Sequence, residues 1–416
     1  PAEAGDPVMN KQLRFLTRTI FGMFLVLCAA VTMIQFVYAD ELRAHELNGR
    51  TLKNSYKIER GSILVDGDPI AFSTPTDDQF RFVRQYSAGD MYAPVTGYFS
   101  RTQGMTGLEA AMNQELSGMA GAQFFTRLAR TVTGEQPRGS SVETTIDPVI
   151  QQAAAEAMVG YEGAVAVIEP DTGRVLALVS TPSFDPNLLS SNSDADIIAN
   201  YAQLNDEPSR PLVNRAIAGD LYHPGSTYKL VTAAAALENG TAVPSSTFDN
   251  PASLPLPLSS ATMQNASGGT CGPGATVSLE QALVLSCNIP IAELAMSMDQ
   301  SAVSNMAREF GFERELDIPL AVTPSVAGTP LDAAQAAISS IGQLDVRATP
   351  LQMAMVSAGI ANGGVVMKPY LVDRVIAPDL QVEQQFEPEV FSTPISESTA
   401  TQLAAMMEQV VADPQG

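Results

Sequence analysis

A chain of 416 residues with 45% hydrophobic and 6% aromatic side chains describes a folded protein of two or three compact units, since single cores stop growing near roughly 250 to 300 residues. Its formal charge of -22 would repel a phosphate backbone, and no basic stripe interleaved with aromatics offsets it, which argues against nucleic acid as a partner. Three cysteines and two histidines (His45 and His223), with no CxxC, HExxH, EF-hand, GxGxxG or P-loop spacing, indicate no metal, haem or nucleotide cofactor.

In chain order, the octet PAEAGDPV precedes Met9-Asn10-Lys11, which looks like a natural start, so residues 1–8 read as a tag scar. From Thr19 to Ala39 there is no charge, and at 1.5 Å per residue a helix of this length spans roughly the 30 Å hydrocarbon core. Lys11, Arg14 and Arg18 precede it while Asp40 and Glu41 follow, so the positive-inside rule places residues 1–18 in the cytoplasm and nearly all the rest outside. The rival is a signal peptide cleaved after Val37-Tyr38-Ala39. A secretory h-region is usually about 7 to 15 residues long, which favours an uncleaved anchor at the cell membrane with Cys28 inside it.

Residues 40–155 read as a β-rich pedestal with no obvious catalytic group, a spacer or docking platform. Ile63–Val65 and Pro69–Phe72 flank a Val-Asp-Gly-Asp turn and predict a hairpin; residues 107–113 are helical in pattern. Val142–Ile146 suits a strand, after which Asp147-Pro148 caps a helix through Ala154. From about residue 156 a second unit begins, with Ala164–Ile168 and Val175–Val179 joined by Pro170-Asp171-Thr172-Gly173 as an antiparallel hairpin. Helices follow at Thr227–Glu238, Leu279–Leu285, Pro290–Met298 and Pro350–Ile360, while Pro244–Ser260 reads as a long surface loop. The fold class is α/β or α+β with an antiparallel sheet flanked by helices.

Ser226 and Lys229, three residues apart at a helix N-terminus, share one face, and the positive end of the helix points at the same place. A protonated lysine is a poor base; burial and the helix dipole must lower its pKa before it can take the Ser226 proton. An S-x-x-K alone also fits an ordinary helix start with a solvated lysine. Ser286-Cys287-Asn288 adds weight. Ser278-Leu279-Glu280-Gln281 reads as a capping box and Pro290 opens the next helix, so the triplet is a tight turn between helices. It can aim the Ser286 hydroxyl, to relay protons, and the Asn288 amide, to hold a substrate amide, into one cleft. His223 lies near Ser226, but with a lysine already available as base a Ser-His-Asp triad is disfavoured, and His223 reads as a cleft-edge or packing residue.

With S-x-x-K and S-x-N both present, the sequence resembles the class B penicillin-binding proteins, peptidoglycan D,D-transpeptidases related to serine β-lactamases, and in particular the penicillin-binding protein A group of actinobacteria. Arg60-Gly61-Ser62-Ile63, Gly104 to Asn113, Thr144-Thr145-Ile146-Asp147 and Asn214-Arg215-Ala216 carry the likeness. So do Ile341-Gly342-Gln343, Thr349 to Ala354 and Asn362-Gly363-Gly364. The resemblance implies a transpeptidase domain over 156–416 and a substrate ending in D-Ala-D-Ala. It makes Ser226 the nucleophile, half of the oxyanion hole its backbone N–H, and β-lactams its acylating mimics. It also implies a polytopic SEDS-type glycan polymerase as partner.

The third family motif, K-T-G or K-S-G, is absent: Lys368 is followed by Pro369 and Tyr370. In the family it follows shortly after a segment like Met406 to Gly416, so the chain reads as truncated before that strand and, as it stands, inactive. A scaffold that docks a polymerase is the alternative, and a D,D-carboxypeptidase or β-lactamase-like hydrolase of the same fold a further one. Cys271 and Cys287, 16 apart, are either two buried thiols or a disulfide worth about 3 kcal/mol that would pin the Ser-Cys-Asn turn.

Overall fold

The computed structural model describes residues 7–38, 58–119 and 138–414, and the chain divides into two compact units, 1–57 and 58–416. The first unit is helix α1, Pro7–Thr32, continued by a π-helical turn over Met33–Val37. Within it Leu13–Gln35 is long and apolar enough to cross a membrane. Phe15, Phe21 and Val26 are 73%, 66% and 71% exposed, so apolar side chains face outward all round, which fits a membrane anchor. The helix starts earlier than the charge-free stretch suggested. Of the presumed scar, residues 1–6 lie outside the described residues, while Pro7 and Val8 open α1. Ala39, Asp40 and Glu41 also lie outside them, as does His45.

In the second unit β1 (Ile63–Val65) and β2 (Asp68–Pro75) form the expected hairpin, longer than its pattern suggested. Both turn residues, Asp66 and Gly67, have positive φ (51° and 80°), the geometry whose twist suits a two-residue hairpin. β3 (Phe82–Tyr86) pairs antiparallel with β2, and β4 (Ser141–Thr144) runs parallel to β1. A buried ion cluster holds this layer. Arg60 Nε and Arg84 Nε each reach one oxygen of Glu109 at 2.6 Å, and Tyr86 donates its hydroxyl to the same carboxylate at 3.2 Å. Burial alone would raise the Glu109 pKa, but the two guanidiniums outweigh it and hold the carboxyl below its usual range. Gly61 is required beside Arg60, because a Cβ there would lie 1.9 Å from the Ser140 carbonyl oxygen.

Asp147 caps α2 (Pro148–Ala157), its Oδ1 accepting from the amides of Val149 and Ile150 at 2.8 and 3.0 Å. The next hairpin, β5 (Gly163–Ile168) with β6 (Val175–Thr181), is antiparallel, and its β6 backbone is clamped by buried Gln151 of α2 at Leu178. At the centre of the helical layer lies α3 (Lys229–Glu238), where Val231 and Ala233 to Ala236 are fully buried; a helix apolar all round belongs in a core. Around it pack α4 (Leu279–Val284), α5 (Ile289–Ser297), α6 (Pro350–Ala361) and α7 (Glu397–Ala412). Ser278 caps α4 as its sequence suggests, and Thr349 caps α6.

Two expectations need correcting. Pro244–Ser260 is not a bare loop: Thr247–Asp249 pairs with Thr276–Ser278, and Leu254–Pro255 with Thr262–Met263. Pairs of two or three residues show no period in a sequence. The boundary at 155 also does not separate the sheets. β7 (Val372–Ile376) pairs antiparallel with β4, and β8 (Val382–Gln385) with β7, giving a six-stranded mixed sheet in the order β8-β7-β4-β1-β2-β3. The pedestal sheet is thus completed from the C-terminal part of the chain.

Candidate active site

Ser226 sits in a 3₁₀ turn, Gly225–Tyr228, that leads directly into α3 at Lys229. The segment before it is held by the loop preceding α6. Tyr222 and Ala348 exchange both backbone hydrogen bonds at 3.0 and 2.8 Å, and the Gly225 amide donates to the Gly342 carbonyl at 3.1 Å. The two backbones approach so closely that a Cβ on Gly342 would lie 2.4 Å from the Gly225 oxygen. Ser226 and Thr227 are exposed, whereas Tyr228 and Lys229 are buried, so the turn splits into a solvent side and a core side.

Lys229 is 2% exposed, and burial pushes its pKa from the ordinary 10.5 down to about 8. Its Nζ donates to the Ser286 carbonyl at 2.6 Å and to Ser286 Oγ at 3.2 Å. Among the described residues it makes no hydrogen bond to Ser226, whose side chain is exposed.

The Ser-Cys-Asn triplet is the expected turn between helices. The amides of Ser286 and Cys287 close α4 on the carbonyls of Leu283 and Ala282 at 3.0 and 2.8 Å. Ser286 has φ of 50°, in the left-handed region uncommon for a residue with a side chain, and it is exposed. Cys287 is bonded to Cys271, with an S–S distance of 2.03 Å and a Cα–Cα distance of 5.7 Å. Cys271 in turn is held by Asn250, which accepts from its amide at 2.6 Å and donates to its carbonyl at 3.1 Å. Asn288 ends the turn at the start of α5, its Nδ2 donating to the Gln264 carbonyl at 2.8 Å.

Lys229 and Ser286 are therefore in direct contact, with Ser226 on the same helical start and Asn288 two residues beyond Ser286. His223 stands apart: its Nδ1 accepts from Arg347 Nη1 at 2.8 Å, and that guanidinium also binds the Leu344 carbonyl at 2.6 Å. It belongs to the rim that ties the Ser226 segment to the 342–348 loop. Gly342 was visible in the sequence only as part of a resemblance, without a role, and Ala348 not at all, because backbone contacts carry no residue-type signal.

A buried amine with its pKa lowered to about 8, hydrogen-bonded to one serine hydroxyl and one helical turn from a second, exposed serine, is chemistry suited to acyl transfer. Comparison with known proteins agrees. Residues 163–416 match the penicillin binding protein transpeptidase domain, and residues 60–142 the penicillin binding protein A dimerisation domain. The peptidoglycan D,D-transpeptidase PbpA of Mycolicibacterium smegmatis is 43% identical over 405 residues, which are 96% of this chain and 82% of that protein. PbpA of Mycobacterium tuberculosis is 43% identical over 378 residues, 89% and 77% of the two chains. A crystal structure of penicillin-binding protein A from M. tuberculosis matches with a TM-score of 0.84 at 41% identity, covering 86% of this chain and 82% of that one. Its penicillin G acyl-enzyme complex matches with a TM-score of 0.83. The chain belongs to the penicillin-binding protein transpeptidase family, with the dimerisation domain of penicillin-binding protein A ahead of the transpeptidase domain.

Proposed function

We propose that the protein is a serine-type peptidoglycan D,D-transpeptidase and a penicillin target, with Ser226 as nucleophile. The observation that carries this is Lys229, a buried amine with its pKa near 8, one turn from an exposed serine and bonded to a second one. Neutral Lys229 takes the Ser226 proton as Oγ bonds to the penultimate D-Ala carbonyl of a stem peptide. The Ser226 amide N–H contributes to holding the oxyanion. As the peptide C–N bond breaks, the proton passes from Lys229 through Ser286 to the departing D-Ala amine. An amine of a neighbouring stem then attacks the acyl-enzyme, forming the cross-link and freeing Ser226, while Asn288 holds a substrate amide. β-Lactams acylate Ser226 in the same way.

The arrangement in the cell follows. Residues 19–39 anchor the protein as a single pass, residues 1–18 are cytoplasmic, and residues 40–155 (pedestal) and 156–416 (transpeptidase) are extracytoplasmic. The helix and pedestal are the surfaces on which a SEDS-type polymerase would dock. A scaffold whose helix and pedestal dock a polymerase is the second reading.

Labelling with a membrane-impermeant fluorescent penicillin tests both. Intact cells making the protein should acquire label on a peptide containing Ser226, and Ser226→Ala should abolish it. Wild type that takes no label under these conditions would leave the scaffold as the function.

A further inference from the structure

We infer that Asn265 is a positioning residue of the acyl-transfer site, fixing the Ser286–Asn288 turn from outside it. Its catalytic consequence rests on the Ser226 reading; its structural one does not. Asn265 is 4% exposed and lies 23 residues before Asn288, beyond the Leu254–Met263 hairpin. Its Oδ1 accepts from the amides of both Asn288 and Ile289, at 2.9 and 3.1 Å. Its Nδ2 donates to the Gly269 carbonyl at 2.9 Å, which anchors the carboxamide itself. Its neighbour Gln264 supplies the carbonyl that takes Asn288 Nδ2 at 2.8 Å.

The need for such a residue follows from helix ends. The first amides of a helix have no partner within it, and a side chain at the cap usually provides one. In α5 the cap residue is Asn288, whose side chain makes no such bond. Ile289 is 1% exposed, so water cannot replace the missing acceptor. Asn265 provides it from another part of the chain.

The consequence reaches catalysis through the backbone. Ser286, with its left-handed φ of 50°, offers both atoms bonded by Lys229 Nζ, and a residue in that region persists where its surroundings over-determine it. On the α4 side the turn is fixed by helix-closing hydrogen bonds and by the disulfide at Cys287. On the α5 side the fixing group is the Asn265 carboxamide. Without it Asn288 and the Ser286 hydroxyl lose their register against Lys229. Neither chemical type nor local spacing marks Asn265, because the two amides it accepts from lie over twenty residues away.

The test compares Asn265→Ala, Asn265→Asp and Gln352→Ala in the full chain. Asn265→Asp keeps the acceptor, while Gln352→Ala removes a buried carboxamide bond to the Phe310 carbonyl outside the site. Hydrogen exchange should show loss of protection at the Asn288 and Ile289 amides in Asn265→Ala alone. The labelled-penicillin acylation rate, at a temperature well below each melting point, should fall about tenfold or more in Asn265→Ala. It should recover to within about threefold of wild type in Asn265→Asp and stay near wild type in Gln352→Ala. Unchanged protection at those two amides, or Asn265→Asp no better than Asn265→Ala, would overturn the assignment. If wild type takes no label, the Ser226 reading fails by itself, and the exchange measurement still decides whether Asn265 fixes the turn.

Discussion

Lys229 shows how far one residue's chemistry follows from where it is buried. Its position, first in α3 and 2% exposed, removes the ammonium from water at the helix end that least favours a positive charge. A pKa near 8 makes a substantial neutral fraction available at mildly alkaline pH, so acylation of the site should rise from pH 7 to pH 9 with a midpoint near 8. Stability responds with a definite sign. Between about 8 and 10.5 the folded lysine is neutral while the unfolded one is charged, so the unfolded state binds more protons and stability increases with pH across that window. Below it the buried charge costs about 3 kcal/mol. Lys229→Met should remove both dependences, leaving acylation at background. A flat acylation profile for wild type over pH 7 to 9 would contradict Lys229 as the base. That Ser226 and Lys229 lie at one helical start was readable from spacing, although no hydrogen bond joins them among the described residues. The preference of Lys229 for Ser286 was not, since it depends on a turn 57 positions away.

At the scale of elements, capping groups were the most legible features. Asp147 and Ser278 each act on amides two or three residues ahead, so sequence and structure see the same interaction. The turn between α4 and α5 was legible for the same reason, its ends marked by Ser278 and Pro290. What pins that turn was less so. Two cysteines 16 residues apart are compatible with free thiols until their Cα atoms are known to lie 5.7 Å apart. The bond ties the segment held by Asn250 to the residue between Ser286 and Asn288. Closing a loop of this length stabilises by about 3 kcal/mol through restriction of the unfolded chain. Reductant, or Cys271→Ser with Cys287→Ser, should therefore lower the melting temperature clearly in thermal shift. Intact mass should rise by two hydrogens on reduction before unfolding. A melting point indifferent to reductant, with that mass change present, would mean the bond adds nothing to the fold.

For the whole molecule, the main lesson is that the two family matches do not correspond to two independently closed layers. Residues 60–142 match the dimerisation domain, yet β7 and β8, from residues 372–385, complete its sheet. Val372 and Val375 of β7 are each 1% exposed and pack in one cluster with Ile63, Val65 and Val142. No local pattern could announce this pairing. The sequence around Val372, Leu-Val-Asp-Arg-Val-Ile, shows no strict alternation, and its partner is some 230 residues earlier. Taking β7 away would uncover the apolar side chains it packs against and leave β4 with an open edge, a combination that favours aggregation. Residues 58–155 made alone should accordingly lack a cooperative thermal transition and should expose amides along β4 to rapid exchange. Residues 58–416, which keep β7 and β8, should melt cooperatively and protect β4. A sharp transition with dispersed amide resonances for 58–155 would show that the pedestal folds without its C-terminal strands, and that β7 is only laid on a finished sheet.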